Sequence, residues 1–162
     1  MTIPADPLDP GGIRSFRRRL RAGETTAVAA TEAYLARIAV LDRQLQTHEH
    51  VAASAALQAA KAVDEALARG VDFGPLMGVP VAVKDIIAIE GMTTTAGSDV
   101  DVSDLIGAPG GFMHSLAAAG CVVIGKTKAV QFAMSGTGAG SLGPAAHQRR
   151  HCVPFQTQNR PG

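Results

Sequence analysis

Apolar positions recur three and four residues apart through the first part of the chain and then give way to short unbroken apolar runs. The pattern predicts helices followed by strands. Ile13, Phe16 and Leu20 keep helical spacing while Arg14, Arg17, Arg18, Arg19 and Arg21 fill positions between them, which predicts a short amphipathic helix closed by Gly23. A second helix is predicted from a cap at Thr25 or Thr26, with Val28, Tyr34, Leu35, Ile38, Leu41 and Leu45 on one face and an end near Gln46. Residues 51–69 are alanine-rich and meet Gly70, which suits a left-handed C-terminal cap. On this pattern the first 70 residues are all helix.

The period then changes. "GVPVAVKDIIAI", residues 78–89, strings small and β-branched residues over a strand length, and "GMTTTAGS", residues 91–98, is a polar, glycine-containing loop. A helix is predicted around residues 108–119, with Gly110 and Gly111 inside it costing about 1 kcal/mol each relative to alanine. "CVVIGKT", residues 121–127, predicts a strand buried on both faces. Strand, helix, strand implies a parallel βαβ unit, so the fold class is α/β. After Met134 no hydrophobic period remains, and the tail is predicted to be loop or disordered.

Composition narrows the function classes. A chain of 162 residues suits one domain. With 46% hydrophobic residues and a net charge of +1, it describes a soluble globular protein with no global field to draw nucleic acid or a membrane surface. The arginines of the first helix are expected to be its solvated face rather than a contact for RNA or anionic lipid. Cys121 and Cys152 form no disulfide framework and lack metal-ligand spacing, which fits a reducing cytoplasm. "MTIPADPLDP" lacks the basic and apolar regions of a signal peptide, and no stretch has the length of a bilayer span.

Three motifs carry candidate chemistry. "GCVVIGKT", from Gly120 to Thr127, satisfies the phosphate-loop pattern, but its four variable residues are a β-branched strand where a phosphate loop needs a turn whose N–H groups wrap the anion. Lys126 is then expected to be a charge at a strand end. Gly138, Gly140 and Gly143 match the dinucleotide fingerprint, yet Pro144 and a polar tail follow where a helix is required. His147, His151 and Cys152 lack the further ligands and the surrounding core that a zinc site needs.

Lys84 ends the first strand run and is followed by Asp85. Taken alone, a lysine there is a solvated surface group. Its neighbours change that. "GPLMGVPVAVKDIIAIEGMTTTAGS", a proline-containing helix ending "AAAG", and "CVVIGKTKAVQFAMSGTGAGSLGP" resemble the amidase signature family in residue type, order and spacing. "TEAYLARI" in the second helix resembles that family's N-terminal region. The resemblance runs over about residues 13–144, and the block around Lys84 is its most specific part.

The resemblance implies the N-terminal part of an α/β/α sandwich with a mixed sheet, as a partial domain over residues 1–144 and a tail outside the family over residues 145–162. It implies hydrolysis or transfer at an amide carbon–nitrogen bond by a lysine, a serine in a cis peptide and a nucleophilic serine. Lys84 matches the lysine. Burial at the end of a core strand would disfavour its ammonium form, and the neutral amine could then draw a proton through the bridging serine. Asp85 is expected to hold the strand end and loop in place. Met134, Ser135 and Gly136 resemble the start of the substrate-side loop, where small residues let backbone approach a ligand. The implied partner is a small amide, with no cofactor, metal, nucleic acid or membrane.

Members of the family continue into a Pro-Gly-Gly-Ser-Ser-Gly-Gly-Ser segment that supplies the bridging serine, and later into the segment of the nucleophile. Neither is found in this sequence, and Ser98, Ser103, Ser115, Ser135 and Ser141 do not sit in matching contexts. Gly107, Gly110, Gly111 and Gln131 also depart from the family pattern. A shift of reading frame after Pro144 would explain the basic, aperiodic tail. The expectation is an incomplete, inactive amidase-family hydrolase. A non-catalytic remnant or interaction module, and a nucleotide-binding protein using residues 120–127, stand as the alternatives. Self-association through an uncovered sheet edge is expected.

Overall fold

The computed structural model describes residues 3–134. Helix α1 spans Gly12–Arg21 and buries Phe16 and Leu20, whereas Ile13 is left exposed. Arg14, Arg17 and Arg18 are exposed, as a solvated face requires. Arg21 is not part of that face. Its guanidinium makes a two-point contact with Asp72 at 2.8 and 2.6 Å and donates to the Gly74 carbonyl at 2.7 Å, fastening α1 to the loop that leads into the sheet.

Helix α2 spans Ala27–Leu45, and Thr26 caps it by accepting from the Ala29 N–H at 2.9 Å. The N–H groups of Ala27 and Val28 are left over by that cap, and Asp64 of the next helix takes both, at 2.7 and 3.0 Å. Its fully buried positions are Ala27, Ala30 and Thr31, with Val28, Tyr34 and Ile38 packed at the margin of the core. Small residues at the contact let helix α3, Ala53–Ala68, approach closely through Ala56, Ala60, Val63 and Ala66. Helix α3 ends as predicted, with Gly70 at φ 77° and the Val71 N–H returning to the Ala66 carbonyl at 2.9 Å.

The first 70 residues are not all helix, because strand β1, His48–Val51, lies between α2 and α3. Its last three side chains are exposed, so it carries no apolar alternation. It exists because its backbone pairs antiparallel with strand β3, Val122–Thr127. Strand β2, Pro80–Lys84, pairs with β3 in parallel. The sheet is therefore mixed, in the order β1-β3-β2, and β3 is its central strand. Gly125 makes the β1 pairing possible, since a Cβ there would collide with the His50 carbonyl oxygen.

The β2–β3 ladder has one irregularity. Val81 pairs with Val123 but Ala82 pairs with Gly125, so the register skips Ile124. Val122 and Ile124 pack with Ala27, Ala56, Ala60, Val63 and Met77, while Phe16, Leu20, Ala30 and Val79 form a second cluster. Val123 and Thr127 remain partly exposed, so β3 is not buried on both faces along its whole length. Between β2 and β3 lie α4, Ser103–Ile106, and α5, Gly111–Ala118. The predicted helix over residues 108–119 thus starts later than expected, with Gly110 as its extended N-cap instead of an interior residue. A 3-10 turn, Gln131–Ala133, lies at the end of the described residues. Among the described residues no helix is long and apolar enough to cross a membrane.

Candidate functional site

Lys84 stands at the C-terminal lip of the parallel pair, in register with Thr127. The Asp85 N–H extends the ladder to the Thr127 carbonyl at 2.9 Å, and the chain then turns, with the N–H groups of Ile86 and Ile87 both donating to the Lys84 carbonyl at 2.8 and 3.1 Å. The backbone on each side of Lys84 is therefore fixed.

The side chain is not where the sequence suggested. Val83 and Asp85 are buried, and Lys84 between them is exposed. Successive side chains on a strand point to opposite faces, so Val83 and Asp85 share one face and Lys84 falls on the other. Among the described residues no carboxylate forms an ion pair with it. Removal of water from Lys84, which a proton-accepting amine requires, is not supplied by the described residues.

The buried lysine is Lys126, which has no solvent exposure. Its Nζ lies 2.6 Å from Asp85 Oδ1, and it donates to Thr94 Oγ1 at 2.6 Å and to the Thr93 carbonyl at 2.9 Å. Lys126 is thus a buried partner inside the fold and not a free charge at a strand end. The skip at Ile124 puts it there. An unbroken register from Val122 opposite Pro80 would set Lys126 opposite Lys84, whereas the observed register sets it opposite Val83, on the face that also carries Asp85. Asp85 Oδ2 accepts from the Thr95 N–H at 3.1 Å and from Thr95 Oγ1 at 2.6 Å. Asp85 holds strand end to loop, as expected of it.

The loop continues the linkage. Ser103 Oγ accepts from the Thr94 N–H at 2.9 Å, and the Ala96 carbonyl accepts from the Phe132 N–H at 2.8 Å. This last bond draws the turn before Met134 onto the loop, and Met134 itself is exposed. Ser135 and Gly136 lie outside the described residues, as do the glycines of the dinucleotide fingerprint and His147, His151 and Cys152. Among the described residues no group of His, Cys, Asp and Glu is arranged to hold a metal.

The string at residues 120–127 does not form a phosphate loop. Val122, Val123 and Ile124 are strand β3, and the Lys126 ammonium is already held by three protein oxygens.

The segment from Lys84 to Lys126 lies within a longer match to known proteins. The Amidase family profile matches residues 29–150. The chain belongs to the amidase family. A glutamyl-tRNA(Gln) amidotransferase subunit from Thermobifida fusca strain YX is 42% identical over 144 residues, which cover 88% of this chain and 28% of that protein. The subunit of the same name from Streptomyces coelicolor is 42% identical over 130 residues, 80% of this chain and 26% of that protein. The native peptide amidase of Stenotrophomonas maltophilia superposes with a TM-score of 0.71 at 32% identity, over 79% of this chain and 26% of that one. Another amidase crystal structure gives 0.72 at 31% identity, over 81% and 30%. This amidase-family chain spans about a quarter of the length of the curated relatives it matches. Its mixed three-stranded sheet and helices correspond to the N-terminal part of the amidase-signature α/β fold.

Proposed function

We propose that this chain supplies the lysine of an amide-hydrolysing site, with Lys84 as general base or proton relay toward a carbon–nitrogen bond. The observation that supports it is the placement of Lys84 at the lip of β2, with the next residue wholly buried and bonded. A lysine fixed in this way presents its amine from a rigid strand end, and only a cover that excludes water is needed to make it a base. The substrate is an amide. The names of the relatives admit both aminoacyl-tRNA-linked and peptide amides, and this chain's described residues favour neither.

The sequence contains no Gly-Gly-Ser-Ser segment. Lys84 alone provides neither a nucleophile nor the donors that stabilise a tetrahedral oxyanion, and the latter is often the largest catalytic term. The 162-residue chain is therefore inactive by itself on this proposal.

Two assays test it. Purified chain is compared with Lys84→Ala on small aliphatic and aromatic amides, where both are expected to stay at background. Residues 1–134 are then joined to the remaining part of the Thermobifida protein, and this chimera should hydrolyse amides while its Lys84→Ala form should not. Equal activity of the two chimeras would remove Lys84 from the chemistry. Turnover by the isolated chain would show that its own serines complete a site.

A further inference from the structure

The proposed role of Lys84 leaves Lys126 without one, although Lys126 is among the most completely buried large side chains described. A buried ammonium is costly to desolvate and is retained only where its partners are well placed. Here the partners come from two separate parts of the chain. Asp85 directly follows Lys84 at the end of β2, while Thr93 and Thr94 belong to the loop after it. Asp85 also binds that loop directly through Thr95.

We infer that Lys126 is a positioning residue for Lys84: acting through Asp85, it locks the end of β2 and residues 93–95 into one unit and so fixes where the Lys84 amine leaves the sheet. The inference rests on Lys84 being the working amine, but the lock itself exists whether or not the chain is catalytic. The geometry favours this over simple stabilisation. A buried ion pair whose only task was stability could be exchanged as a pair for apolar residues with little loss, whereas Lys126 reaches oxygens on both a strand end and the loop after it, which an apolar side chain of the same volume could not hold in register. Ser103 extends the lock by accepting from Thr94, so α4 is tied in as well.

The test reads the lock on the 162-residue chain and does not depend on amidase activity. Amide hydrogen exchange is measured at Thr95, Ile86 and Ile87, whose N–H groups report the loop bond and the turn onto Lys84. The ¹³Cε–¹Hε resonance of Lys84, assigned with Lys84→Gln, reports the side chain. The first variant is Lys126→Met with Asp85→Leu, which removes both charges together and leaves no buried ion unpaired. It is expected to melt close to the wild type and to keep slow exchange in the β2–β3 ladder. The three reporter amides should exchange about tenfold faster or more, and the Lys84 resonance should shift and sharpen as the backbone that carries it loosens. The second pair of variants, Thr95→Val and Thr95→Ser, keeps the ion pair. Valine removes the hydroxyl bond to Asp85 and should shift the same signals by a smaller factor, while serine retains that bond and should restore them.

A folded double variant with wild-type exchange and an unmoved Lys84 resonance overturns the inference. If the double variant does not fold, the threonine pair decides: equal behaviour of Thr95→Val and Thr95→Ser overturns it, and rescue by serine supports it. Inactivity of the Thermobifida chimera would bear on the amidase proposal alone.

Discussion

Lys126 Nζ and Asp85 Oδ1 lie 2.6 Å apart with neither side chain exposed. A pair in this setting gains little over apolar residues of the same shape, yet breaking it from one side leaves a charge in the core. Lys126→Met is expected to lower unfolding stability by about 3–5 kcal/mol, and adding Asp85→Leu to recover most of that loss. Urea unfolding of the single and double variants measures both. Equal losses would show that the carboxylate is hydrated in solution.

Gly125 faces the β1 backbone so closely that a methyl group there meets the His50 carbonyl. Gly125→Ala is expected to cost about 2 kcal/mol or more, since a backbone atom cannot swing aside as a side chain can. Thermal unfolding measures the cost. Faster amide exchange confined to residues 48–51 and their partners would locate it in the β1–β3 pairing.

Asp42 closes the end of α2. Burial pushes its carboxyl up, but hydrogen bonds from Thr47 and His48 together outweigh this and hold it below the ordinary value of 3.8. A carboxyl depressed in the folded state binds its proton more readily when unfolded, so it adds stability above pH 3.8 and loses that contribution as the pH falls below it. Asp42→Asn should therefore be less stable than wild type at neutral pH and approach it in strong acid. Urea midpoints across this range test the convergence, and parallel curves would refute it.

ATP and GTP are expected not to bind, because the ammonium a phosphate would need is engaged inside the fold. Isothermal titration should show no saturable heat. Saturable binding that disappears in Lys126→Ala would overturn this.

We also propose that the 162-residue chain self-associates, since β2 is an edge strand among the described residues and edges pair with other strands. Light scattering should give a mass above the 16.6 kDa of the monomer. A monodisperse monomer at high concentration would refute it.

Local chemistry made much of this molecule legible. Thr26 caps α2 and Gly70 closes α3, because both signals act within one turn of backbone. The apolar run ending at Thr127 marked the central strand, and the blocks around Lys84 marked the family. What the sequence could not determine was contact between distant segments. His48–Val51 has no apolar pattern, and only the backbone of β3 makes it a strand. Lys84 and Lys126 look alike in sequence, each near the end of an apolar run beside a polar residue. Tertiary structure separated them. The pairing of β2 with β3 skips Ile124, which turns Lys126 to the face of Val83 and Asp85, where it meets a carboxylate and two threonines. Lys84 falls one position out of phase with those buried residues and remains in water. The side-chain period of a strand is two, so a single skipped residue decides which lysine is sealed in the core and which is left in solvent.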